Sequence, residues 1–133
     1  MAGETNLNAL IKSLSAELVD GVHVFCTLPS DQSPPDVTPR MMFQEAEGTT
    51  LILLKSQAEA LDLAYEFPCR MITLNIHSSL DAVGFMARIA TELAKHDMGV
   101  NPVSGFFHDH LFVPEGREQD ALQALHNLAN SVP

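Results

Sequence analysis

Basic residues are scarce in this sequence. Lys and Arg together number seven against seventeen Asp and Glu, leaving a formal net charge of −10. Affinity for nucleic acid depends on cations that neutralise phosphates, so bases this few and scattered exclude a phosphate-binding surface. Long apolar runs are also missing. None approaches the roughly 20 residues that a membrane span needs. The start, MAGETNLNAL, has neither the basic stretch nor the apolar core of an export signal. The expectation is a cytoplasmic protein with no membrane and no nucleic-acid partner. There are only two cysteines, Cys26 and Cys69. Without an export signal they read as buried, reduced thiols, not as a disulfide. The chain holds no P-loop, dinucleotide fingerprint, HExxH or CxxC, so no cofactor is expected.

What is present is a globular pattern. Hydrophobic residues make up 46% of 133 positions, enough for one compact unit or two very small ones sharing a core. Leu7, Leu10, Ile11 and Leu14 recur at helical spacing, with Asn6 or Thr5 as cap and Asp20-Gly21 as the expected stop. Val22 to Thr27 reads as a strand. The next segment, a loop over 28–40, carries four prolines and reads as a surface arm where no helix forms. Met41–Glu45 and Thr49–Leu54 flank Glu47-Gly48 as a hairpin. Ser56 to Glu59 has a capping-box pattern, opening a short helix with Ala60, Leu61 and Ala64 inward. Pro68 is expected to break the chain. Beyond it Met71, Thr73 and Asn75 alternate with Ile72, Leu74 and Ile76 as in a strand.

Ser78-Ser79-Leu80-Asp81 is a second capping-box pattern, followed by a helical stripe of Met86, Ile89, Ala90 and Leu93 that Met98-Gly99 should end. Val100–Phe106 and Leu111–Val113 read as strands. Phe106 and Phe107 point to opposite sides, so one is expected in the core. Pro114-Glu115 opens a last helix with Ala121, Leu122, Leu125 and Leu128 inward. The order α, β, loop, β, β, α, β, α, β, β, α is a degenerate internal repeat. The expected class is α+β, an antiparallel sheet with helices packed on one face. Residues 1–69 form the first half, with the Pro-rich loop in place of a helix. Residues 70–133 form the second, and strand 70–78 is a candidate to serve both.

The stretch ITLNIHSSLDAVGFMARIATELAKHDMGVNPVSGFFHDHLFVP resembles the ACT-domain family. The strand ending near Ser78, Gly84 at the helix start, Asn101 opening the next strand and the FFHDHLFVP turn carry the likeness. VFCTL and MFQEAEGTTLIL in the first half resemble small bacterial proteins with tandem ACT-like halves. The resemblance implies two ferredoxin-like halves and a regulatory or sensing role, often through amino acids held between ACT units. No catalytic domain accompanies it, so the module is expected to be non-enzymatic, to regulate a protein in trans or merely to bind, and to form a homo-oligomer.

Two points carry chemistry. A helix start presents unpaired amide N–H groups and partial positive charge, suited to a carboxylate. Ser78, Ser79, Leu80, Asp81, Val83 and Gly84 occupy that turn, and Gly84, lacking Cβ, allows either a ligand or a facing backbone close. Asp81 or Asp109 could receive an ammonium, and Asn101 completes the candidate ligand set. The same glycine and cap also occur on helices that bind nothing. His108-Asp109-His110, with His77, could chelate a metal in an extended segment, although a hairpin turn there is the stronger reading. The alternatives to a ligand sensor are therefore an interaction module using the Pro-rich arm and a small metal-dependent enzyme using HDH.

Overall fold

The computed structural model describes residues 6–33, 35–76 and 80–133. The first helix, α1 (Leu7–Lys12), is capped by Asn6, whose Oδ1 accepts from the Ala9 N–H at 2.9 Å. It stops at Ser13, whose hydroxyl donates to the Ala9 carbonyl. The expected stop at Asp20-Gly21 is corrected. Both residues lie inside β1 (Ala16–Leu28), where Gly21 adopts φ +95°. Only glycine takes that conformation cheaply, so the signal marks an irregularity within a long strand.

No helix or strand forms among the described residues between β1 and β2 (Met41–Gln44). The β2–β3 hairpin closes on Ala46-Glu47, because Glu45 and Gly48 exchange backbone hydrogen bonds. That places the turn one residue before the expected Glu47-Gly48. Strand β3 (Thr49–Leu54) runs directly into α2 (Lys55–Ala60), and Gln57 Oε1 accepts from the Leu54 N–H at 2.9 Å. Ser56 is therefore not the cap. The earlier start turns Ala58 inward, while Ala60, Leu61 and Ala64 are exposed.

Strand β4 (Glu66–Leu74) contains Pro68, the expected breaker. Proline is tolerated near the beginning of a strand, and the left-handed Phe67 (φ +56°) precedes it. The alternation beyond it is as expected: Ile72 and Leu74 are fully buried on one face and Ile76 packs beside them. Helix α3 (Phe85–Ala94) starts at Gly84, three residues beyond Asp81 of the capping-box pattern. Ser78 and Ser79 lie outside the described residues. The helix ends at Lys95, short of Met98-Gly99.

Strands β5 (Asn101–Ser104) and β6 (Asp109–Pro114) follow, then α4 (Glu118–Asn130), so Pro114 closes a strand and does not open the helix. The β5–β6 turn is tied by the Gly105 N–H donating to the His108 carbonyl at 2.9 Å. Phe106 and Phe107 sit at its tip, each 64% exposed, in edge-to-face contact with each other. Neither enters the core, because the strand ends at Ser104.

The strands form a six-stranded sheet in the order β2-β3-β1-β4-β6-β5. The β1–β3, β2–β3 and β5–β6 pairs are antiparallel. The class is α+β, with ferredoxin-like strand-helix-strand logic. Compact packing divides the chain into two units, Gly21–Cys69 and Met1–Asp20 with Arg70–Pro133. Within the first, Val24, Cys26 and Leu28 of β1 and Leu51 and Leu53 of β3 bury themselves against Ala58 of α2. Within the second, Leu10 and Ile11 of α1, Ile89 and Leu93 of α3 and Leu125 and Leu128 of α4 cover Ile72, Leu74, Leu111 and Val113. Full burial of each such aliphatic side chain stabilises by about 1.5–3 kcal/mol. Both long strands, β1 and β4, contribute residues to both units.

Candidate functional site

The turn before α3 and the β5–β6 hairpin meet in the second unit. Between them lies a cleft of about 140 Å³ lined by Leu80, Ala82, Phe85, Met86, Ser104, Gly105 and Asp109. Its floor comes from a buried residue. Asp109 opens β6 opposite Ser104 and is 8% exposed, an acidic side chain turned to the same side of the strand as Leu111 and Val113. Gly105 stands at the hairpin, where an added Cβ would lie 3.1 Å from the His108 carbonyl oxygen.

The opposite wall is the helix start. Gly84 caps α3 with φ +86°, and its carbonyl accepts from the Arg88 N–H at 3.0 Å. The glycine is explained by that left-handed backbone, not by crowding: an added Cβ would make only ordinary contact with Leu7 at 3.6 Å. The first-turn amides of Phe85 and Met86 have no side-chain cap from Gly84. Leu80 (69%) and Val83 (84%) are exposed large apolar residues.

Of the residues singled out from the sequence, the fold brings Leu80 and Asp109 into one cleft, with Gly84 directly before its wall. Asp81 and Val83 lie in the same turn without lining the cleft. Asn101 is exposed at the far end of β5, opposite Phe112. Ser78 and Ser79 fall outside the described residues. Sequence reasoning missed Phe85, Met86, Ser104 and Gly105. The hairpin turn Gly105–His108 was the available signal, had its register been placed correctly.

In the HDH run the two imidazoles lie near each other, and Asp109 does not join them. His108 closes the turn, and His110 Nδ1 lies 3.0 Å from Thr73 Oγ1, on the opposite side of β6 from Asp109. The rings of His108 and His110 are 6.5 Å apart between centroids. His77 lies outside the described residues. Among the described residues no three His, Cys, Asp or Glu groups are gathered as metal ligands.

Elsewhere, His23 is buried, and its Nε2 accepts from Arg40 Nε at 3.4 Å. The exposed His126 has its Nε2 3.1 Å from the Asn130 side-chain amide, one turn on in its own helix. Both cysteines are free and buried. Burial pushes the Cys26 thiol up, and that of Cys69 up to about 12. A thiol held protonated is a poor nucleophile.

Two ACT-domain family models match the chain in tandem, over residues 2–70 and 66–127. No curated protein sequence matches. Among solved structures, a Vibrio cholerae protein of unknown function, a possible transport protein, is 40% identical with a TM-score of 0.83. The match covers 92% of this chain and 95% of that one. The regulatory subunit of aspartate kinase from Thermus flavus shares the fold at 11% identity and a TM-score of 0.62, covering 96% of this chain and 99% of that one. Escherichia coli aspartokinase III, in complex with aspartate and ADP, matches at 13% identity and a TM-score of 0.61. That match covers 86% of this chain and 32% of the kinase.

Proposed function

The chain belongs to the ACT-domain family, and we propose that it is a non-catalytic regulatory module that binds a small ligand, an amino acid, in the cleft before α3. The observation that carries this reading is the meeting of the α3 start with the buried Asp109 around one small cavity. The first-turn amides of Phe85 and Met86 would receive the ligand carboxylate. Asp109 would pair with its ammonium, with the Ser104 hydroxyl as a further partner. Leu80, Ala82, Phe85 and Met86 supply an apolar wall for the side chain. A volume of about 140 Å³ suits a metabolite well below the roughly 300–1,000 Å³ of drug-sized pockets.

The fold shared with aspartate-kinase regulatory chains supports a regulatory role exercised in trans on a separate protein. The two sheet edges, β2 and β5, are the surfaces through which a homo-oligomer would form, since unpaired strand edges are normally covered. Reduced, buried thiols fit a cytoplasmic setting. Among the described residues no helix is long and apolar enough to cross a membrane.

A second reading, a ligand-free interaction module, is favoured by one observation: Phe106 and Phe107 stand exposed together at the hairpin tip. A thermal-shift screen of the twenty protein amino acids separates the two. A ligand at a hundred times its Kd adds about 2.7 kcal/mol to stability. Stabilisation by one amino acid or a close set supports the sensor. No response to any of them supports the interaction module.

A further inference from the structure

The unit Gly21–Cys69 contains a cavity of about 280 Å³, lined by His23, Thr38, Pro39, Arg40, Leu54 and Gln57. Among the described residues its lining carries no carboxylate, in a chain where acids outnumber bases by seventeen to seven. Among the described lining residues the one formal charge is the Arg40 guanidinium, which makes no ion pair with any other described residue. Its Nε donates to Nε2 of the buried His23 at 3.4 Å, which holds the planar group by one edge. The two terminal Nη groups have no partner among the described residues. Gln57 spends its oxygen on the Leu54 N–H, so its side-chain amide is left as a donor. Thr38 adds a hydroxyl. The polar lining is thus a set of donors around a fork that suits bidentate oxyanions.

We propose that this cavity is a second binding site, one for a small organic carboxylate. Arg40 grips the carboxylate, Gln57 and Thr38 donate to it, and Pro39 and Leu54 pack on its carbon skeleton. A single positive charge matches a monoanion, and the apolar walls favour an organic acid over an inorganic ion. Thr38 and Pro39 come from the Pro-rich arm, which stands where a ferredoxin-like unit ordinarily carries its first helix. The arm's role is then to complete the site. The proposal is independent of the cleft before α3, which lies in the other unit.

The test is an amide-resolved NMR titration of the full chain with sodium butyrate at constant ionic strength. Butyramide serves as the uncharged control and inorganic phosphate as the competing anion. The expected result is saturable shifts at Thr38, Arg40, Leu54 and Gln57 with butyrate, and none with butyramide. Arg40→Gln should weaken butyrate about tenfold or more, the effect of removing a charged hydrogen-bonding partner. Arg40→Lys should recover only part, because an ammonium lacks the fork. Thr38→Val, away from the His23 contact, should weaken binding while leaving the spectrum of the fold intact. Four results would each overturn the proposal. These are equal shifts from butyramide, unchanged affinity in Arg40→Gln, tighter binding of phosphate than of butyrate, and the absence of saturable shifts at these four residues.

Discussion

Arg70 and Glu118 meet at 3.1 Å between Nη1 and Oε2, with side chains only 19% and 17% exposed. Arg70 also donates from Nη2 to the Val19 carbonyl, and Glu118 accepts from the Gly116 N–H at 2.7 Å. The pair therefore joins β1, β4 and the start of α4 within one unit. Glu118→Ala leaves a largely buried guanidinium without its counter-charge. The expected loss is about 1–3 kcal/mol of unfolding free energy, read by urea denaturation. Adding Arg70→Met to that variant should restore part of it, because the uncompensated charge is then gone.

Gly48 is required for room and not for its backbone angle. An added Cβ would stand 2.5 Å from the Leu28 carbonyl oxygen, a backbone atom that cannot swing aside. Gly48→Ala should cost about 1–3 kcal/mol, as overpacking does, and lower the thermal midpoint. Gly99→Ala is the control. Nothing lies within 4 Å of its added Cβ, so its effect should be small.

How much of this was legible in the sequence depended on whether a pattern repeats along the chain. The Ile72/Leu74 alternation and the Leu125/Leu128 stripe are periodic, the cap expected at Asn6 or Thr5 is local, and the structure carries both patterns and a cap at Asn6. Isolated punctuation misled. Asp20-Gly21 and Pro68 look like breakers, yet each sits inside a strand that continues through it. A long strand contributing to two units tolerates an irregular residue partway along, and no local signal announces that. The turn residues of both hairpins were displaced by a residue or more, which is why Phe106 was placed in a strand. At the cleft, the helix-start turn marks Leu80 and its carboxylate marks Asp109. Phe85 and Met86 line it through tertiary packing, which sequence spacing does not encode, whereas Ser104 and Gly105 follow from the register of the β5–β6 hairpin.

Cys69 donates its thiol hydrogen to the His23 carbonyl at 3.3 Å and is fully buried. Its pKa rises from the ordinary 9.0 to about 12 through desolvation of the thiolate. The native state therefore holds this proton more tightly than the unfolded chain does. That contribution to stability is complete below pH 9 and is lost progressively as pH rises toward about 12. Cys26 shifts in the same direction. Iodoacetamide at neutral pH should leave Cys69 unmodified in the folded protein and alkylate it in urea. A cysteine-free variant should lose less stability between pH 9 and pH 12 than the native chain.

The proposed function requires the cleft between the α3 start and Asp109 to hold an amino acid. The most direct measurement is an amide-resolved NMR titration with each of the twenty protein amino acids, repeated on Asp109→Asn. At least one amino acid should produce saturable shifts at Phe85, Met86, Ser104 and Gly105. Asp109→Asn should weaken that binding about tenfold or more while the fold is retained. The proposed function would be contradicted if no amino acid moved these four residues, or if the response survived Asp109→Asn unchanged.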